Sequence, residues 1–410
     1  MSRLRPARAA RSAAILMMLA VAVAAPAAAD SAPANLLVNP DFESPLEGHP
    51  WLPAGWDTSE TNLPTVFFGR DTFLVRSGRY AVNIANTSTL FPLWNNWSQA
   101  VLVGPEAWGK DLVFSVWTRS NGLQGRAYIL AQAYRDTIGK MAKSWRMDRD
   151  AAGKRLGINK VDDPLLDLGW QRLYFSDPET DWVRREARVF VPPSTNVIYL
   201  RSGLIGTGQV IFDDASLTLA PALPAPPAPP GVNLLADPGF EGDGNAWEYS
   251  MPPYEGLRVE RDTTAAHSGG ASVRCYGGLD GFFQARVGVC QPISNRNLAG
   301  KRLRLSAYVK TDSLKGSAFL RLYAHTSGHG MVQSLPGDPV SGTNDWKLAS
   351  VELDIPPDAW EVWAWFAYNA PTPGMVRFDD CVLEVLGPAA APKTAAKPAA
   401  KPGSGKKPAH

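Results

Sequence analysis

The chain has 410 residues, 45% hydrophobic and 20% charged, enough apolar material for two or three domains with their own cores and too much for wholesale disorder. Its formal charge of +2 hides an asymmetry: four arginines (Arg3, Arg5, Arg8, Arg11) stand at the very start, and five lysines (Lys393, Lys397, Lys401, Lys406, Lys407) sit in the last stretch. With those set aside the body is acidic, which argues against nucleic acid as the main partner, because phosphate binding draws on clustered Lys and Arg.

In chain order, the first feature is a basic start followed by an apolar run over 13–25 and the small residues Ala27, Ala28 and Ala29. This pattern predicts a secretory signal peptide over 1–29 and a secreted, periplasmic or extracellular mature protein. The apolar run is shorter than the roughly 20 residues that a membrane span requires, and no later segment reads as a transmembrane segment.

From residue 30 onward the dominant signal is a tandem repeat. "NLLVNPDFES" at Asn35 returns as "NLLADPGFEG" at Asn233, and "RSGRYAVNI" at Arg76 as "HSGGASVRC" at His267. "WSQ" ending at Gln99 matches "VCQ" ending at Gln291, and "GKDLVFSVWTR" at Gly109 matches "GKRLRLSAYVK" at Gly300. Asp181-Trp182, Pro192-Pro193 and Phe212-Asp213-Asp214 then match Asp345-Trp346, Pro356-Pro357 and Phe378-Asp379-Asp380. The two copies cover 30–219 and 232–387. The offset shrinks along the chain, so the first copy carries an insertion near 136–170, charged and without β-alternation, expected to be a long loop or short helical excursion. Between the copies, the Pro-rich linker 220–231 is expected to be a stiff, extended spacer rather than a packed element. The Lys/Ala/Pro-rich tail 388–410 is expected to be disordered, with weak envelope association through its lysines.

Inside each copy, runs such as "LVFSVWT", "RLRLSAYV" and "EVWAWFAY" alternate with period two between Gly, Pro, Asn and Asp breaks. Half-buried strands follow, and the fold class is all-β: two tandem β-sandwich domains. In "KRLRLSAYVK", Leu303, Leu305, Ala307 and Val309 share one face.

These motifs, in this order and twice over, resemble the jelly-roll carbohydrate-binding modules of the galactose-binding-like superfamily, the kind appended to secreted cellulases and xylanases. The resemblance rests on the opening "NLL-N-DFE", the "SG" before a strand, the Gln closing the next strand, the "GK-L-FS-W" strand and the final "FDD". It implies non-catalytic binding of a polysaccharide or glycan. It also implies one structural calcium per module, held by Glu43 with Asp213 and by Glu241 with Asp379, with Asp214 and Asp380 as alternatives. Two carboxylates suit a hard cation; the competing reading is that these acids accept hydrogen bonds from turn backbone.

Sugar rings call for flat aromatic surfaces flanked by planar polar groups. In "AWEVWAWFAYNAP", Val362, Ala364 and Phe366 fall on one face and Trp363 and Trp365 on the other with Glu361. If the smaller residues point inward, Trp363 and Trp365 form an exposed platform; the opposite facing would bury them. Tyr199 and Arg201 occupy the corresponding positions of the first copy. Tyr308 and Trp117, matched on another strand, are candidates to extend the platforms. Trp51, Trp56, Trp94, Trp97, Trp247, Tyr249 and Tyr254 are further candidates in loops.

Catalytic signatures are weak. No nucleophile elbow, H-E-x-x-H or P-loop occurs. His325 and His329 read as a surface loop rather than a metal pair. Glu179, Asp181 and Glu186 follow the insertion, and a glycan-cleaving site there is the remaining enzymatic alternative. A protein-interaction or cell-envelope module is the non-enzymatic one. The three cysteines all lie in the second copy; Cys275 and Cys290 are expected to end neighbouring strands, where they could pair and leave Cys381 free.

Overall fold

The computed structural model describes residues 34–58, 65–88, 94–135, 166–250, 257–277, 285–326, 330–335, 337–370 and 374–390. The predicted leader, residues 136–165 of the insertion, His329, Tyr254 and the tail beyond 390 lie outside them. Among the described residues there is no α-helix, and no helix long and apolar enough to cross a membrane.

The first module holds β1 (Pro45–Leu46), β2 (His49–Pro53), β3 (Asp57–Thr58), β4 (Val66–Asp71), β5 (Ala81–Asn86), β6 (Trp94–Leu102), β7 (Lys110–Arg135), β8 (Leu166–Phe175), β9 (Val183–Phe190) and β10 (Val197–Pro221). The second holds β11 (Glu248–Ser250), β12 (Arg258–Asp262), β13 (Ser272–Tyr276), β14 (Ala285–Ile293), β15 (Lys301–Thr326), β16 (Gly330–Gln333), β17 (Val340–Asp354), β18 (Ala359–Ala370) and β19 (Met375–Pro388).

Each module is a sandwich of two antiparallel sheets, here sheet A and sheet B, joined by strands that turn the corner between them. In the first module, residues 111–118 of β7 pair with β9 in sheet B, and residues 127–135 pair with β8 in sheet A. β10 does the same, pairing with β6 over 197–205 and with β5 over 208–212. Sheet A is therefore β3-β6-β10-β7-β8 and sheet B is β4-β5-β10-β7-β9. Glycines permit the corner. Gly125 and Gly206 have φ of +112° and +125°, and a Cβ on either would lie 2.3 or 2.1 Å from a carbonyl oxygen of the facing strand. The predicted short strands are thus too short: a period-two pattern cannot show that one strand runs on through a bend into a second sheet.

The second module repeats the plan, with β11-β14-β18-β15-β16 as sheet A and β12-β13-β19-β15-β17 as sheet B. Leu303, Leu305, Ala307, Val309, Val362, Ala364 and Phe366 all point into its core, as the alternation predicts. The sandwich fold and its duplication agree with the sequence reading.

The repeated motifs are the joints of the sandwich. Asn35 accepts hydrogen bonds from Leu37 N and Leu217 N and donates to Ala215 O, so the opening segment is fastened to the closing strand. Asn233 makes the same three contacts with Leu235, Leu383 and Cys381. Gln99 grips both backbone groups of Val38 and the carbonyl of Gly55; Gln291 grips Ala236 and Ala246 in the same way. These side chains satisfy backbone groups that no strand partner reaches.

Two expectations need correction here. The Pro-rich linker is packed: Leu223 N donates to Asp111, Leu223 O accepts from Arg296, and Ala225 O and Pro226 O accept from Asn297. Ala228 lies against the second core, and Pro230 bridges to Val385. Proline removes N–H donors but leaves carbonyls, and these carbonyls are what the neighbouring side chains hold. The insertion ends earlier than its composition suggests, because residues 166–170 already belong to β8.

Candidate functional site

The outward faces of the two A sheets hold four of the predicted binding residues, Tyr199, Arg201, Trp363 and Trp365. In the first module, Ala100, Tyr199, Gln132 and Trp170 form one cross-strand row, and Ser98, Arg201, Leu130 and Arg172 the next. The Arg201 guanidinium lies over the Tyr199 ring at 4.3 Å. In the second module, Trp363 lies between Pro292 and Tyr323, and Trp365 between Cys290 and Arg321. Trp363 and Trp365 face away from the core, the first of the two facings that the alternation allows.

The platform is nevertheless not open. Trp363 is only 6% exposed, because Trp170 of the first module stacks on it with ring centroids 5.0 Å apart and planes 17° apart. Trp363 in turn stacks on Trp365 at 6.3 Å, and the Arg172 guanidinium covers Trp170 at 4.0 Å. An aromatic ladder therefore runs from one module into the other. Trp365, half-buried, is its more open end.

A buried polar network locks the ladder. Glu361, 1% exposed, accepts from Trp363 Nε1, from Ser294 Oγ at 3.4 Å and from Trp170 N at 3.2 Å. Glu248 accepts from Arg172 and from the Tyr174 hydroxyl. Burial works against the Arg172 charge, but Glu248 and Tyr174 outweigh it and hold the guanidinium above its ordinary value. Burial, reinforced by Glu248, raises Tyr174 well above a free phenol. Arg126 donates to Trp247 O at 2.8 Å while lying over Tyr174 and Tyr249. The two modules are thus joined through their A faces rather than hung on a free spacer.

Tyr308 and Trp117 do not extend these faces. Both lie on the corner-turning strands where these belong to sheet B, on the other side of each sandwich. There they form matched stacks: Arg76 over Trp117 at 3.9 Å, held by Asp214, and His267 on Tyr308 at 3.5 Å, held by Asp380. Several of the loop aromatics are core: Trp56 packs on Phe42 and Trp247 on Phe240, each pair at 4.9 Å, and Trp97 is fully buried. Trp51 is exposed.

The acids nominated for calcium clamp a turn. Glu43 Oε1 accepts from Arg79 N and Tyr80 N; Asp213 accepts from Arg76 N, Ser77 N and Asp214 N. Glu241 accepts from Gly270 N and Ala271 N, and Asp379 from His267 N, Ser268 N and Asp380 N. The "SG" glycine is explained by this clamp: Gly78 and Gly269 both have φ of +63°, and a Cβ there would meet the Glu43 or Glu241 oxygen at 2.2 or 2.1 Å. These N–H contacts are those of the turn-clamping alternative, and in each glutamate they engage one oxygen only. Among the described residues no group of three or more His, Cys, Asp or Glu is placed to hold a metal. Burial pushes Asp213 up to about 6 and raises Asp379 as well.

The remaining candidates separate. His325 is buried in β15, opposite Glu361, rather than on a surface loop. Glu179 accepts from Gly122 N, Asp181 pairs with Arg119 and Glu186 with Arg184, each tying neighbouring backbone or side chains. The predicted Cys275–Cys290 pairing does not occur: β13 and β14 lie in different sheets, and all three thiols are free and buried. Trp170, Arg172, Tyr174 and Glu248 were missed by the sequence reading. Their signal is the alternation in "WQRLYF", which puts Trp170, Arg172 and Tyr174 on one face of a strand.

No family model matches the chain. A curated relative, the uncharacterized HTH-type transcriptional regulator YbfP of Bacillus subtilis (strain 168), is 30% identical over 87 residues, 21% of this chain and 29% of that protein. The chain therefore matches well under half the length of that relative. Among solved structures it is similar to the N-terminal CBM22-1-CBM22-2 tandem domain from Paenibacillus barcinonensis Xyn10C, with a TM-score of 0.31 and 12% identity, over 88% of this chain and 100% of that one. It is also similar to the C-terminal family 22 carbohydrate binding module of Clostridium thermocellum Xyn10B, with a TM-score of 0.30 and 18% identity, over 40% and 100% of the two chains. A third, TmCBM61 in complex with β-1,4-galactotriose, gives a TM-score of 0.28 and 18% identity over 38% and 99%.

Proposed function

We propose that this is an exported, non-catalytic glycan-binding protein whose two sandwiches act as one docked unit. The observation that carries the reading is the open end of the aromatic ladder: the half-buried Trp365 ring stands beside Arg321 and Tyr323 on an otherwise ordered sheet face. A flat ring takes the C–H face of a sugar, while guanidinium and phenol groups reach its hydroxyls. In the first module, Tyr199 and Arg201 offer the same pairing of ring and planar donor. The leader pattern over 1–29 supports export. Because the modules are docked, a polymer engaging both meets a fixed spacing rather than two tethered arms.

Affinity electrophoresis of the folded chain against a panel of soluble polysaccharides, with pull-down on insoluble ones, tests this. Retention is expected on at least one polymer, weakened about tenfold by Trp365→Ala with little change in melting temperature. A folded chain retained by no polymer would overturn the reading.

A further inference from the structure

Two half-buried arginines on the A faces have neither a carboxylate nor a backbone carbonyl as partner among the described residues. Arg201, half-buried on β10, makes no hydrogen bond or ion pair to any described residue and lies over the Tyr199 ring. Arg321 on β15 donates to the neutral amide of Gln333 at 3.2 Å, and its Nε is buried with no partner. The two fall in the same cross-strand row: Arg201 pairs with Leu130 on β7, and Arg321, at the matching place on β15, pairs with Trp365. Elsewhere the sandwiches hold such guanidinium groups either with acids, as in Arg76–Asp214 and Arg188–Asp111, or with backbone carbonyls, as for Arg70, Arg126 and Arg296. The chain has 39 Asp and Glu to draw on, so a half-buried guanidinium with neither kind of partner is a directed feature of each face. Desolvating a cation without a counter-charge is unfavourable unless a ligand supplies the charge.

We infer that the ligand is an acidic polysaccharide, one carrying uronic acid residues, whose carboxylates are taken by Arg201 and Arg321 while the sugar rings lie on Tyr199 and Trp365. The inference rests on the glycan-binding reading above. A guanidinium presents parallel N–H groups that match the two oxygens of a planar carboxylate, and partial burial protects the contact from screening. A neutral sugar would leave both charges unanswered.

The test uses the full-length protein with glucuronoxylan and polygalacturonate, each native and after reduction of its carboxyls to alcohols, with dextran sulfate as a polyanion without carboxylates. Native polymer is expected to bind about tenfold more tightly than its reduced form, and the Arg201→Gln/Arg321→Gln double variant is expected to bind both forms to within about twofold. Among the described residues neither arginine pairs with an acid: Arg201 makes a ring contact and Arg321 a neutral hydrogen bond, so the melting temperature of the variant should stay close to the parent's and is measured alongside binding. Equal affinity for native and reduced polymers overturns the inference and leaves the glycan reading standing. So does a preference that survives in the double variant, or dextran sulfate binding as tightly as the uronates. Retention on none of these polymers, nor on any neutral one, overturns both.

Discussion

The two modules agree residue by residue at their joints and differ on their A faces. Asn35 and Asn233, Gln99 and Gln291, and Glu43 and Glu241 make matching contacts with matching backbone groups. On the A faces, the second module carries a tryptophan ladder where the first carries Tyr199 and Arg201, and the first contributes Trp170 and Arg172 to cover the ladder. The duplicated residues therefore specify the sandwich, and the diverged ones specify how one copy meets the other and what is left open to a ligand.

The largest test of that division removes the carboxylate at the module junction. Glu248→Ala removes the carboxylate that the buried Arg172 guanidinium and Tyr174 hydroxyl share, and breaking one side of a buried ion pair costs about 3–5 kcal/mol. Because the loss falls on the junction rather than on either core, differential scanning calorimetry should resolve two transitions where the parent shows one. A single transition at the parent temperature would mean that the junction does not couple the modules.

A smaller effect checks the symmetry of the joints. Gln99→Ala and Gln291→Ala each strand one backbone N–H and two carbonyls, at about 2 kcal/mol apiece. In a Glu248→Ala background each should lower the transition of its own module alone, by similar amounts, and leave polysaccharide affinity unchanged. A variant that kept its melting temperature and lost binding would move that glutamine from the framework to the ligand site.

The fold was largely legible because its signals are local and repeated: alternation gives the strands, and two copies of each joint fix their order. Period two alone separates Val362, Ala364 and Phe366 from Trp363 and Trp365, and the structure turns the first set inward. What covers Trp363 could not be. Trp170 lies far away in sequence, and docking of one face on another depends on the curvature of both sandwiches, which no periodicity records. The roles of Glu43 and Asp213 were ambiguous for a different reason: a carboxylate that caps a turn and one that ligates a cation have the same sequence, and only the direction of the neighbouring N–H groups separates them. Cys275 and Cys290 were misplaced because strands adjacent in sequence belong to opposite sheets here.

The smallest expected effect concerns that turn. An aspartate in an unfolded chain titrates near ~3.9, whereas burial pushes Asp213 up to about 6 in the fold. Between those values the folded state holds a proton that the unfolded state has released, so stability falls as pH rises through the window and is level above it. Asp379 is shifted in the same direction and is common to the parent and to Asp213→Asn, so it cancels when the two are compared. Relative to Asp213→Asn, the parent's melting temperature should therefore decline by about 4 °C between pH 4 and pH 7 and stay constant from there to pH 8. A parent that instead gained stability over that window, relative to the variant, would mean that the five N–H groups on Glu43 and Asp213 outweigh burial. The turn would then be held by a fully charged carboxylate in the first module, and the same titration of Asp379→Asn would show whether the second copy behaves alike.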